Sequence, residues 1–172
     1  MEKMAAGYHA FKDANVIVYK GGHQTTNLNL PGLLFISQAM LLSADWLVAS
    51  DGENILSYRL GQGVVFSSSL IRKGNITSPL SCSPEGKDCA AVLAIPKSDF
   101  FDVAHKTTYK DVALVAFSLA DGSLRFRRSI HERFDGSKIT SKSLSEAKVA
   151  ISPSGRLVAV WCGSVWDVYS VP

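Results

Sequence analysis

The sequence predicts an all-β chain built from repeated hairpins, and three observations carry that expectation. A short β-rich segment centred on an aromatic residue recurs along the chain, each time leading into a Gly-containing turn and a second β-rich segment. Pairs of apolar segments about a tight turn alternate with it. The composition is globular, with 47% hydrophobic and 19% charged residues, so the chain has enough apolar material to bury a core.

The elements follow in order. Residues 15–30, NVIVYKGGHQTTNLNL, form the first aromatic hairpin, a loose copy of the later ones. Residues 32–50, GLLFISQAMLLSADWLVAS, form the first apolar pair, with Ser43-Ala44-Asp45 as its turn. The segment from Leu30 to Ser50 is the most apolar in the chain. It is interrupted by Gln38, Ser43 and Asp45, and its uninterrupted parts are shorter than the ~20 residues of a membrane span. Two buried strands are therefore expected, and no membrane partner.

Residues 54–70, NILSYRLGQGVVFSSSL, repeat the aromatic hairpin, and residues 79–96, PLSCSPEGKDCAAVLAIP, repeat the apolar pair. Residues 112–130, VALVAFSLADGSLRFRRSI, and 147–162, AKVAISPSGRLVAVWC, repeat both again. Residues 165–171, VWDVYSV, carry the first half of a further aromatic hairpin. Ser83-Pro84-Glu85-Gly86 and Ser152-Pro153-Ser154-Gly155 are strong turn signals, because Pro presets φ and Gly accommodates the reversal. Near-continuous apolar strands suit positions covered on both faces by neighbouring sheets.

Tyr19, Tyr58, Phe117 and Tyr169 occupy equivalent places, separated by 39, 59 and 52 residues. One blade of a β-propeller takes about 40–45 residues. The first interval fits, and the others need insertions of about 10–15 residues. Residues 97–110, KSDFFDVAHKTTYK, and 131–145, HERFDGSKITSKSLS, supply them. A β-sandwich would use the same hairpins but would not explain the repeated spacing.

Residues 152–171, SPSGRLVAVWCGSVWDVYSV, resemble a WD40-type repeat, with a Ser-Pro-x-Gly turn between its second and third strands and the aromatic strand last. Residues 114–130 resemble the last strand of one blade, the turn between blades and the first strand of the next. The resemblance implies β-propeller blades, with residues 1–14 as an N-terminal segment and 15–172 as repeat units of about 21–60, 61–118 and 119–171. Three blades and one strand do not close a ring, since a propeller needs at least four. The chain therefore reads as part of a larger propeller, or as one of two chains sharing a ring. In the first case, residues 15–20 are expected to complete the last blade.

The chemistry-bearing residues are dispersed. His9, His23, His105 and His131 show no metal-ligand spacing. Cys82, Cys89 and Cys162 show none either, and their odd count argues against a disulfide framework. Cys82 and Cys89 flank a turn and read as small buried residues. Gly61-Gln62-Gly63 lacks the third Gly and the helix of a phosphate loop. Asp99 and Asp102 read as a solvated loop, and no Gly-x-Ser-x-Gly elbow exists. No catalytic group, cofactor or metal is expected.

Two surface candidates remain. Phe100, Phe101 and Tyr109 sit in the first insertion, where exposed aromatics act as interface anchors. Arg125, Arg127, Arg128 and Arg133 form the most basic segment. Strand alternation puts Arg125 and Arg127 on one face, suited to phosphates or an acidic partner. The expected function is a protein-interaction scaffold or adaptor in a multi-subunit assembly. The alternative is a propeller subunit of an RNA-containing, ribosome-assembly-type complex; an all-β enzyme is the third reading. The net charge of +3 is too small to decide for RNA. The start of the chain has no signal-like apolar region, so an intracellular site, cytoplasmic or nuclear, is expected.

Overall fold

The computed structural model describes residues 13–20, 23–33, 35–43, 45–68, 75–96, 109–133, 144, 146–162 and 165–172. These residues form four antiparallel sheets in chain order. The first sheet pairs β1 (Asp13–Lys20) with β2 (His23–Pro31). The second runs β3 (Gln38–Ser43), β4 (Trp46–Ser50), β5 (Ile55–Arg59) and β6 (Gly63–Ser68). The third runs β7 (Asn75–Ile76), β9 (Asp88–Pro96), β10 (Tyr109–Ser118) and β11 (Leu124–Ser129), and β8 (Ser81–Cys82) also pairs with β9. The fourth runs β12 (Lys148–Ile151), β13 (Leu157–Cys162) and β14 (Val165–Ser170).

Each sheet packs its face on the next. Ala14, Leu28 and Leu30 of the first sheet meet Leu47, Ala49 and Leu56 of the second. Val48, Ile55 and Phe66 on the other side of the second sheet meet Cys89, Ala91, Leu93, Ala113, Val115 and Phe117 of the third. The alternate residues of the third sheet, including Ala90, Val92, Val112, Leu114 and Ala116, meet Val158 and Val160 of the fourth. Covered on both faces, β9 and β10 are buried continuously over 89–94 and 112–117. That is why they read as unbroken apolar runs.

The sheets stack in chain order with a four-strand motif. Among the described residues the four sheet paths hold two, four, four and three strands, with β8 as an extra partner of β9. One assignment shifts. The aromatic strand is the third of its sheet and not the last, and the Gly turn joins it to a fourth strand of the same sheet. The turn at Gly61-Gln62-Gly63 thus links β5 to β6 within one sheet. The repeat units read from sequence are offset from the sheets by one strand. β1 pairs with β2 in a two-stranded sheet of its own.

Three hydrogen bonds recur at matching places and fix the equivalence of the sheets. Leu60 N–H donates to Asp45 O (2.7 Å), Leu119 N–H to Lys87 O (2.8 Å) and Val171 N–H to Arg156 O (2.8 Å). Trp46, Asp88 and Leu157 are therefore equivalent, as are Tyr58, Phe117 and Tyr169. The two Ser-Pro-x-Gly turns are closed by Gly86 N–H to Ser83 O (2.8 Å) and Gly155 N–H to Ser152 O (2.9 Å). Their glycines take φ of +68° and +71°. Each is seated against the preceding sheet: a Cβ on Gly86 would meet the Trp46 ring at 2.7 Å, and one on Gly155 would overlap the Asp88 carboxylate.

A second device repeats that the sequence pattern did not reveal. Beside each aromatic of β1, β5 and β10, the partner strand carries one extra residue: Thr25, Val65 and Arg125. Such a β-bulge shifts the alternation of side chains by one from that point on.

Candidate interaction surfaces

The bulge decides the geometry of the arginine segment. Ala116 pairs with Phe126 while Phe117 pairs with Leu124, leaving Arg125 between. Arg125 and Arg127 therefore do not share one face, contrary to simple period-2 alternation. Arg125 turns toward the fourth sheet. Its Nη1 donates to both Asp88 carboxylate oxygens (2.9 and 2.8 Å), and its Nη2 to Pro172 O (3.0 Å). Next to it, the Phe126 ring lies 5.9 Å from that of Tyr169.

Arg127 lies on the opposite side, toward the second sheet. Its Nη2 donates to Asp111 Oδ2 (2.8 Å), and Ser129 Oγ donates to Asp111 Oδ1 (2.9 Å). Partial burial alone would raise the Asp111 pKa. The hydrogen bonds from Ser129 and Arg127, with the guanidinium charge, outweigh it and hold the carboxyl below its ordinary value. Arg128 is exposed and has no ion-pair partner among the described residues. Arg133 ends a single 3-10 turn, His131–Arg133. The arginines are thus spread over two faces, and two of them are neutralised by carboxylates.

The aromatic-loop candidate is only partly placed. Phe100 and Phe101 lie outside the described residues. Tyr109 begins β10 and is half-buried against the core between the third and fourth sheets. That partial burial raises its phenol pKa. Tyr109 acts here as a packing residue. His131 is half-buried, and its Nδ1 is buried with no hydrogen-bond partner among the described residues.

Cys82 and Cys89 are cross-strand partners in β8 and β9 with Cα atoms 4.0 Å apart, and they form a disulfide. This corrects the expectation of two unlinked small residues. Their spacing around a tight turn was the available signal. The bond closes the base of the turn that seats Gly86 on Trp46.

The surface that sequence reasoning missed is the outer face of the fourth sheet. The equivalent positions of the second and third sheets are covered: Val48, Ile55, Ala90, Val92, Leu114 and Ala116 have at most 1% exposure. In the fourth sheet that face carries Leu157 (47% exposed), Trp166 (55%) and Val168 (63%). Trp161 lies beside Trp166, ring centroids 6.2 Å apart, with Lys148 Nζ 5.0 Å from the Trp161 ring centroid. Leu157 is equivalent to Trp46 and Asp88, the two seats for a turn glycine.

Among the described residues no group of three or more His, Cys, Asp or Glu is placed to hold a metal ion, and no helix is long and apolar enough to cross a membrane. No family model matches the sequence, and no curated protein matches it. Solved structures do resemble it. One is KlHsv2 with loop 6CD replaced by a Gly-Ser linker, with a TM-score of 0.54 and 13% identity over 91% of this chain and 44% of that one. Another is a chain of a mitotic checkpoint complex, with a TM-score of 0.50 and 13% identity over 91% of this chain and 43% of that one. The chain spans less than half the length of these solved chains. The stacked sheets, their repeated turn and bulge positions, and these two likenesses together show that the chain has the fold of a partial β-propeller.

Proposed function

We propose that the chain is a non-catalytic protein-interaction scaffold or adaptor in a multi-subunit assembly. One observation supports this reading: the fourth sheet presents Leu157, Trp166 and Val168 on an apolar outer face that takes up a further packed surface, whether a following sheet of the same protein or a partner. A contiguous apolar patch with paired tryptophans is the composition of a protein contact surface. The packed third and fourth sheets lie behind it.

RNA binding through the arginines is the competing function. Arg125 and Arg127 would have to leave Asp88 and Asp111 to contact phosphates, which leaves Arg128 as the ready cation on β11. The deciding experiment is purification of the tagged chain and its Trp166→Asp, Val168→Asp double variant from native cells, with and without RNase. A protein set that survives RNase and is lost by the variant supports the scaffold. A set that disperses with RNase, or is indifferent to the variant, contradicts it. In the RNase-sensitive case, Arg127→Ala and Arg128→Ala should weaken binding and its salt dependence.

A further inference from the structure

Between the second and third sheets, at the end where β4 turns into β5, lies a cavity of about 500 Å³. That volume falls in the range of ligand pockets. Phe35 of the segment before β3, Asp51, Glu53 and Asn54 of the β4–β5 turn, and Asn75 and Ile76 of β7 line it. Three hydrogen bonds between the two sheets build its frame. Ile76 N–H donates to Gly52 O (2.7 Å). Gln38 Nε2 donates to Ser78 O (2.7 Å), and Leu80 N–H donates to Gln38 Oε1 (2.8 Å). The turn is pinned as well. Asp51 Oδ1 accepts from the Glu53 and Asn54 N–H groups (2.9 and 2.7 Å), and Oδ2 accepts from Asn54 Nδ2 (2.9 Å). The cavity is therefore preformed, which lowers the cost of filling it.

Its chemistry is one-sided. Asp51 is buried, and its bonds go to neutral N–H groups that leave its charge uncancelled. Glu53 is exposed, and its carboxylate has no ion-pair partner among the described residues. No Lys, Arg or His is among the described lining residues. Phe35 stands beside them with 58% of its surface exposed. Two carboxylates and a bare aromatic ring suit a cation that is also flat. Arginine is that cation, because its guanidinium forks onto a carboxylate and lies on an aromatic face. The ammonium of lysine is a compact, strongly hydrated point charge. We infer that the cavity seats an arginine side chain from an extended segment of a partner protein. Glu53 and the Phe35 ring hold the guanidinium, which faces the fixed negative charge of Asp51. This inference rests on the reading of the chain as a protein-interaction module and names one contact that such a module makes.

The probe is the peptide Gly-Ala-Arg-Ala-Gly, blocked at both ends and carrying a neutral dye, titrated with the whole chain while fluorescence anisotropy is followed. The net charge of the chain is +3, so long-range attraction does not favour this peptide. The expected result is saturable binding below about 1 mM, the weak end of specific association. Binding should fall at least about fivefold, the equivalent of about 1 kcal/mol, when citrulline or lysine replaces the arginine, and also with Glu53→Gln or Phe35→Ala protein. Both side chains are exposed, so these variants keep the fold. Glu85→Gln, an exposed site in the turn before β9 at the opposite end of the sheets, should bind as the native chain does. Absence of saturable binding overturns the inference, as does equal binding of the citrulline or lysine peptide. Equal effects of Glu53→Gln and Glu85→Gln also overturn it, because the attraction is then diffuse. The scaffold reading would survive each of these failures, since its own test uses native partners and the outer face of the fourth sheet.

Discussion

At the residue scale, the turn glycines are the sharpest test of the packing. Gly61 and Gly155 both hold positive φ, +80° and +71°. A Cβ at Gly61 would meet open space, while one at Gly155 would overlap the Asp88 carboxylate. Gly61→Ala should therefore cost only the left-handed backbone penalty, about 1 kcal/mol. Gly155→Ala should cost at least about 1 kcal/mol more, because it also displaces the partner of Arg125. Urea unfolding of both variants checks this, and equal losses would contradict the seat on Asp88. Asp111 gives a second test. Its folded pKa is depressed, so its contribution is present above the unfolded carboxylate value and is lost as pH falls through the folded value. The stability gap between the native chain and Asp111→Asn should be level above about pH 5 and close below about pH 4. Since Arg127 is partly exposed, that gap should stay under about 1 kcal/mol.

At the scale of elements, the Ser-Pro-x-Gly turns and the apolar runs were legible because Pro, Gly and branched residues restrict the backbone locally. The bulge was not legible. Leu124-Arg125-Phe126 carries no local signal for an extra residue, since the bulge is set by pairing with Ala116 and Phe117 across the sheet. That single residue is why Arg125 and Arg127 part company. The offset of the aromatic strand has a similar cause, because the Gly turn after Tyr58 does not itself say whether the next strand joins the same sheet. The disulfide was half legible, since seven residues separate Cys82 from Cys89 but only the register places them opposite each other. Thiol counting tests the pairing. Alkylation of the unfolded chain without reductant should label Cys162 alone, and with reductant all three cysteines. Three labels in both conditions would show that Cys82 and Cys89 stay reduced, the expected state in a reducing compartment.

At the scale of the molecule, the repeat was legible because Tyr19, Tyr58, Phe117 and Tyr169 mark it. The exposed face was not legible. Leu157, Trp161, Trp166 and Val168 look like core residues in sequence, and only the stack shows that nothing among the described residues covers them. Two of the three internal interfaces seat a turn glycine, one on Trp46 and one on Asp88, and Leu157 presents the third such position. Trp166→Asp and Val168→Asp should leave stability within about 0.5 kcal/mol of the native chain, as expected for exposed sites.

The most direct test is hydroxyl-radical footprinting of the tryptophans, in the isolated chain and in the assembly purified from native cells. Trp166 should be labelled strongly in the isolated chain and protected in the assembly, while the half-buried Trp46 should be labelled weakly in both. Equal labelling of Trp166 in the two states would contradict the claim that the outer face of the fourth sheet is the contact surface.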